Sequence, residues 1–374
     1  MFFKKYLKSY FIKRNKIVSS KDFQRKANNF FISRFFVKSD GKKIYDLISG
    51  FIYSQTLLAF VELGLFEKLL VNDCTISQLS EDLNLSKERV NLLCKSGVAI
   101  GILENVGNSY ILTRIGAAIV GVPGLQKMIS HHKIFYQDLF DPVKLLKGDF
   151  ETKMSKFWPY VLNNFQSEKE KKENFEISKI YSDLMASSQI LVAEETLGIV
   201  SFHKSKHLLD IGGGTGTFLG KVKESYPGLK VSLFDLKNVV GQIKEEEKKK
   251  KSINEIIPGN FLEDEIPQVA DTISLVRVLY DHDDHIAEKI LRNVYKALPN
   301  NGSLIISEPM SGGKKPTKAG DCYFGFYTLA MSTGRPRDKI MHFNLLKKAG
   351  FQKLKKHKSK RDFITGIITA KKIM

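Results

Sequence analysis

DIGGGTGTF, residues 210 to 218, sets one acid and three alternating glycines where an apolar run gives way to helical periodicity. His207 to Ile211 reads as a short buried strand, and Thr217 to Tyr226 carries apolar residues at helical spacing. Gly212, Gly214 and Gly216 let the backbone approach a ligand closely and take angles that side chains forbid. A dinucleotide-binding turn is spaced G-x-G-x-x-G so that amides at the helix end hold a pyrophosphate. Here Thr217 stands at the third glycine position, and the spacing is acid-x-G-x-G-x-G. The turn suits a nucleotide-type cofactor; an ordinary tight turn is the plain alternative.

Outward from the turn, Lys230 to Phe234 alternate like a second strand and end at Asp235. That acid lies at the distance from the glycines at which a carboxylate meets ribose hydroxyls, and a carboxylate there accepts from both. Its alternative is a helix N-cap. The segment PGNFLED, from Pro258 to Asp264, follows a third apolar stretch, and TISLVRVLY, from Thr272 to Tyr280, reads as a fourth strand. Strands in this order, separated by helical segments, make a doubly wound α/β sheet with its ligand beyond the strands' C-terminal ends. The acid-x-G-x-G-x-G form resembles the first motif of S-adenosylmethionine-dependent methyltransferases, whose cofactor has an amino-acid tail and a sulfonium and no phosphate.

The chain's 374 residues suffice for two domains. Its three cysteines, Cys74, Cys94 and Cys322, have no metal-ligand spacing, and no metal is expected. No secretory leader is apparent, and the apolar stretch Leu47 to Phe60 is short and polar-interrupted, so a cytoplasmic protein is expected. The net charge of +19 is concentrated at the ends: residues 1–40 hold 11 Lys/Arg against 2 acids, residues 345–374 hold 10 against 1, and the middle carries only +1. A neutral middle argues against nucleic acid as a partner. Basic ends interleaved with aromatic and aliphatic residues, as in MFFKKYLKSYFIKR, suit peripheral contact with an anionic membrane, and a solvated Lys-rich surface is the alternative.

Three segments follow: a basic arm over 1–40, a mostly helical domain over 41–175 and the α/β domain over 176–374. Ile44 to Leu70 reads as one or two helices. Thr75 to Leu83, a break at Asn84, and Ser86 to Ala99 form a helix-turn-helix, and Gly101 to Thr113 a hairpin, together a winged-helix module. Its second helix carries only three basic residues and a broad apolar face, which suits burial against protein rather than DNA. His131 and His132 are adjacent and diverge on a helix, so they make no metal pair by themselves. SEKEKKE, residues 167–173, reads as a solvated stretch before the second domain, and YSDLMASSQILVAEETL as a helix that can cap the cofactor site.

Taken together, LLDIGGGTGTFL, LFDL, RVLYDHDD and ISEPMSGGKKPTKAGDCYFGFYTLAMSTGRPR resemble the carotenoid O-methyltransferases that act on hydroxyneurosporene and demethylspheroidene, a branch of the caffeate-type O-methyltransferases. The resemblance runs from about residue 20 almost to the C-terminus. It implies a Rossmann-like catalytic domain, a winged-helix dimerisation domain, a homodimer, S-adenosyl-L-methionine as cofactor and an apolar hydroxylated acceptor. The glycines 212, 214 and 216, with Asp210, then line the methionine part of the cofactor, Asp235 holds its ribose, and Asn260 and Phe261 lie at the adenine. Asn260 replaces an Asp of many relatives, and an amide oxygen still accepts the adenine hydrogen bond.

The match loosens at the catalytic base. Plant relatives carry a His base in an HDW segment; here YDH puts Tyr280 at the base position and His282 at that of an adenine-stacking Trp. A neutral tyrosine is a poor base near neutral pH, which leaves His282 or His285 as alternatives, with Glu308 matching the acid that orients the base. The acids from Asp281 to Asp284 can accept the proton, or merely cap the next helix. Because the sulfonium is already activated, alignment can supply much of the acceleration in an in-line displacement. Phe135, Tyr136, Phe324, Phe326, Tyr327 and Met331 are the expected acceptor lining, with plain core as the alternative. Rival readings are a methyltransferase for bacteriochlorophyll-type tetrapyrroles or small phenols and, more remotely, a winged-helix DNA-binding regulator.

Overall fold

The computed structural model describes residues 2–157 and 184–373. The stretch 167–173 and the expected boundary at 175/176 lie outside them. By contacts the chain divides into two compact units, residues 1–118 and 119–374. The stretch 119–157, read in sequence as part of the helical domain, belongs to the second unit: the helix Leu125–Asp138 packs on the helix Phe324–Ala330, and the Asp138 carboxylate accepts from the Lys153 and Met154 amides at 2.6 and 2.8 Å.

In the first unit α1 (Phe2–Val18), α2 (Lys21–Asn29) and α3 (Phe31–Glu62) follow one another, with Ser20 capping α2. The 32 residues of α3 make it, among the described residues, the one helix long and apolar enough by length and composition to cross a membrane; its last turns bury Leu58 and Phe60 in the core of this unit. Thr75 and Gln78 close a reciprocal capping box at the helix Ile76–Leu83, whose end is the left-handed Asn84 at φ 51°. Ser86 then caps the helix Lys87–Ala99. Phe60 reaches this second helix so closely that a Cβ on Gly97 would stand 2.6 Å from its ring. Strands β1 (Cys74–Thr75), β2 (Leu103–Val106) and β3 (Ser109–Leu112) form the wing in the order β1-β3-β2, with β2 and β3 joined through Gly107 at φ +63°. The winged helix expected from the sequence is present.

The second unit is built on a seven-stranded sheet ordered β6-β5-β4-β7-β8-β10-β9. Its strands are β4 (His207–Ile211), β5 (Lys230–Asp235), β6 (Glu255–Pro258), β7 (Thr272–Val276), β8 (Ser303–Glu308), β9 (Gln352–Lys356) and β10 (Gly366–Lys371). The first five pair in parallel, and β10 inserts antiparallel between β8 and β9. Every residue of β4 and β7 is buried, as a strand covered on both faces must be. Two apolar clusters flank the sheet, one around Leu209, Leu275 and Leu291, the other around Leu208, Leu219 and Val231. The strand read over Thr272 to Tyr280 ends earlier, at Val276. Arg277 turns to φ +60° with its amide on the Ser307 carbonyl at 2.8 Å, and residues 279–281 wind into a short 3₁₀ turn. Apolar residues in that turn imitate a strand in sequence because they are buried for a different reason.

Candidate active site

The turn after β4 carries φ values of +66°, +61° and +77° at Gly212, Gly214 and Gly216. A Cβ at Gly212 would stand 2.8 Å from the Val278 methyl, so the glycine clears space as well as taking the angle. The Gly214 amide donates to Asp235 Oδ2 and the Leu236 amide to Oδ1, both at 2.7 Å, which fixes the carboxylate at the end of β5. Burial pushes Asp235 up to about 6 against the pull of those two amides. A cleft opens here, lined by Gly212, Gly213, Gly214, Asp235, Asp281 and His282, with Met185 and Gln189 contributed by the helical stretch 184–197.

Four residues expected at the cofactor do not reach the cleft wall. Asp210 is fully buried, accepts from Ser274 Oγ at 2.5 Å, and packs its Oδ2 where a side chain on Gly213 would go. It braces the turn from within the protein, and burial pushes it up to about 7. Gly216 starts the helix Thr217–Ser225 and is pressed by Ile253, at 2.5 Å from the place of a Cβ. Asn260 spends its Oδ1 on the Leu262 amide at 3.0 Å, closing its own turn. Phe261 is buried in the core and meets the His282 ring edge-on at 5.7 Å.

The segment from Leu279 to Asp284 is gripped from two sides. Glu308, completely buried at the end of β8, accepts from the Tyr280 amide at 3.0 Å and shares a 2.8 Å hydrogen bond with His342 Nε2. It therefore positions the backbone of Tyr280 through a partner the sequence reading did not single out. From the other side Arg337, also completely buried, donates to the carbonyls of Leu279 at 2.7 Å and His282 at 2.5 Å and to Asp284 Oδ1 at 2.8 Å. The Arg335 amide and the Thr333 hydroxyl add bonds to the carbonyls of Tyr280 and Asp281 at 2.8 and 2.9 Å. The segment STGRPR is thus a backing plate for residues 279–284. Asp284, paired with both arginines, is structural, and His285 is exposed.

Burial sorts the candidate bases. It pushes the Tyr280 phenol far above its ordinary value, which disfavours the phenolate that a base would need. Burial pushes His282 down to about 4, leaving a neutral ring on the cleft wall. Asp281 is 5% exposed, and its Oδ1 has no hydrogen-bond partner. Burial raises its carboxyl well above the usual range, while Arg277 beside it favours the ionised form. Arg277 lines the same cleft, with Nη1 on the Ser188 hydroxyl at 2.8 Å. No pattern in the sequence marks Arg277; its left-handed backbone is what turns it inward.

The expected acceptor residues form a packed aromatic layer. Phe135, Tyr327 and Met331 are buried in one cluster with Leu145 and Met154, Phe326 packs on its edge, and Tyr136 is half-buried against His132 at 6.0 Å. None of them lies on the cleft wall. Phe324 links the layer to Tyr280, edge-on at 6.2 Å. His131 and His132 hydrogen-bond Tyr327 and Tyr323 at 3.1 and 2.8 Å.

Residues 136–352 match the family model of the O-methyltransferase domain, and residues 45–121 that of the O-methyltransferase dimerisation domain. The chain belongs to the O-methyltransferase family. It is similar to demethylspheroidene O-methyltransferase of Rhodobacter capsulatus, 42% identical over 90% of this chain and 83% of that protein. The same enzyme of Cereibacter sphaeroides is 36% identical over 95% of this chain and 93% of its own. Among solved structures, human N-acetylserotonin methyltransferase in complex with S-adenosylmethionine superposes with a TM-score of 0.76 at 20% identity, over 90% of this chain and 98% of its own.

The protein is an S-adenosyl-L-methionine-dependent O-methyltransferase. Its cleft fits that cofactor: the turn excludes side chains at Gly212, and a buried carboxylate faces the cleft from β5. The pH dependence follows from the raised carboxyls. Protonated Asp235 and Asp210 lend the cofactor-free fold relative stability at acid pH, which is lost as the pH rises through about 6 and about 7 respectively. Hydroxyls donate best to the ionised form, so affinity for S-adenosylmethionine measured by calorimetry should weaken as the pH falls through about 6. A flat profile would remove Asp235 from the cofactor's contacts.

Proposed function

We propose that this O-methyltransferase works as a homodimer and methylates the hydroxyl of an acyclic carotenoid of the hydroxyneurosporene or demethylspheroidene type. The observation that carries the acceptor is the 42% and 36% identity, over almost the whole chain, to enzymes named for demethylspheroidene. The aromatic layer meets Tyr280 through the half-buried Phe324, edge-on at 6.2 Å. The homodimer is supported by the dimerisation match over 45–121, where Leu47, Ile48 and Phe51 of α3 are exposed by 82%, 66% and 66%.

When bound, S-adenosyl-L-methionine supplies a methyl group on a sulfonium, open to displacement by an acceptor oxygen. Gly212 and Gly214 clear room for its methionine part, Asp235 accepts from its ribose hydroxyls, and neutral His282, backed by Phe261, flanks its adenine. Asp281 Oδ1 takes the proton that the acceptor hydroxyl gives up. Arg277 beside it favours the ionised form of that carboxyl against the effect of burial, and the Tyr280 hydroxyl hydrogen-bonds the same carboxyl group.

Asp281→Asn should then lower kcat by about 10²-fold or more while affinity for S-adenosylmethionine changes little. Tyr280→Phe should lower it far less, and turnover should rise with pH as Asp281 loses its proton. Unchanged turnover in Asp281→Asn would eliminate the assignment. For the acceptor, the test is mass spectrometry of products formed from methyl-labelled cofactor with hydroxylated acyclic carotenoids, tetrapyrroles and small phenols in parallel. Label in the carotenoids is expected; label only in a tetrapyrrole or phenol would replace the reading.

A further inference from the structure

We infer that α1, α2 and the first turns of α3 form a docking surface for an anionic lipid bilayer. In α1, Tyr6 and Tyr10 stand one turn apart at 76% and 61% exposure, with Leu7 and Phe11 beside them, while Lys4 and Lys8 flank that face and Lys5 lies behind it. In α3, Phe31 and Phe35 repeat the spacing at 91% and 74% exposure, with Arg34 and Lys38 between and after them. The arm is folded rather than loose: Ala27 of α2 is buried, and the Ser33 hydroxyl holds its carbonyl at 2.6 Å. That packing uses Ala27 and leaves the aromatic residues outward.

Two observations select the occupant. The charge of residues 1–40, 11 basic against 2 acidic side chains, complements anionic headgroups, and interleaved aromatic rings suit the boundary between headgroups and acyl chains. The arm also precedes the segment matched by the dimerisation family, which starts at residue 45. A duplex nucleic acid would use the lysines through its phosphates and leave the rings without a partner. Of the C-terminal basic residues, Lys353, Lys355 and Lys356 lie in the edge strand β9 and are not needed for this surface. The inference deepens the proposed function, since a carotenoid resides in lipid, but its test requires no acceptor.

The full-length enzyme is sedimented with vesicles of phosphatidylcholine alone and with vesicles containing equal parts of phosphatidylglycerol. Binding to the anionic vesicles, weakened by salt, is expected. Reversing Lys4, Lys5, Lys8 and Lys13 to Glu should weaken it by more than about tenfold, and Tyr6→Ser, Tyr10→Ser and Phe11→Ser together should also weaken it. Unchanged affinity for S-adenosylmethionine in both variants shows that they are folded. Equal binding to neutral and anionic vesicles, or variants that bind like the wild type, would overturn the surface. So would a serine variant that changes oligomeric state with vesicle binding intact, or nucleic acid that binds the arm in preference to vesicles. Failure to methylate carotenoids with vesicle binding intact would instead count against the acceptor alone.

Discussion

Replacing Asp235 by Ala is expected to weaken S-adenosylmethionine binding by about two to three orders of magnitude. The carboxylate is held at the end of β5 by the Gly214 and Leu236 amides, each at 2.7 Å, and is buried enough that water does not compete for it. Hydrogen bonds to a charged partner contribute roughly 1.5–3 kcal/mol each. Losing two to the ribose therefore costs about 3–4 kcal/mol after some rearrangement, a factor of ~10² to 10³. The substitution also frees the Gly214 amide and so loosens the glycine turn. Asp235→Asn keeps one acceptor and should fall in between. Titration calorimetry reads the loss, circular dichroism shows that the sheet persists, and wild-type affinity in Asp235→Ala would mean that the cofactor binds elsewhere.

Replacing Arg337 by Met should be the most destabilising single change near the active site. The guanidinium is completely buried and donates to Leu279 O, His282 O and Asp284 Oδ1. Methionine fills a similar volume and leaves those buried acceptors without a donor. Breaking one side of a buried charged network costs about 3–5 kcal/mol, which for a unit of this size lowers Tm by roughly 10 °C. Arg337→Lys should rescue little, because one ammonium cannot span three acceptors arranged for a planar fork. Activity should fall further than stability, since the carbonyls that lose their donor flank Tyr280 and Asp281. The exposed partner Arg335 offers a contrast: Arg335→Ala removes a half-exposed ion pair with Asp284 and should cost less than about 1 kcal/mol. Thermal unfolding of the three variants gives the ranking, and a Met variant as stable as the wild type would contradict the clamp.

Local signals in the chain carried the architecture. The turn at 210–218, the alternation into Asp235, and the capping residues Thr75 and Ser86 each announce their conformation within a few positions, and the structure forms them there. Long-range packing was silent. Arg337 is a basic residue in a Gly-Pro segment, an exposed loop by every local rule, and only the fold reveals that it meets residue 282. His342 sits in an ordinary helical pattern, and its bond to Glu308 crosses 34 positions of sequence. The expected strand over Thr272 to Tyr280 failed because buried apolar residues read alike in a strand and in a 3₁₀ turn, and the left-handed Arg277 that divides them carries no signature. The aromatic stripe was legible as apolar surface needing cover, but its members cover one another, a distinction periodicity does not make.

The proton path from acceptor to Asp281 is the center of the account, and a crystal structure with S-adenosylhomocysteine and a hydroxylated acyclic carotenoid measures it directly. The account predicts that the acceptor oxygen lies within hydrogen-bonding distance of Asp281 Oδ1, with the ribose hydroxyls on Asp235. An acceptor oxygen hydrogen-bonded to His282 or to no protein group, with Asp281 turned away from the cleft, would contradict it.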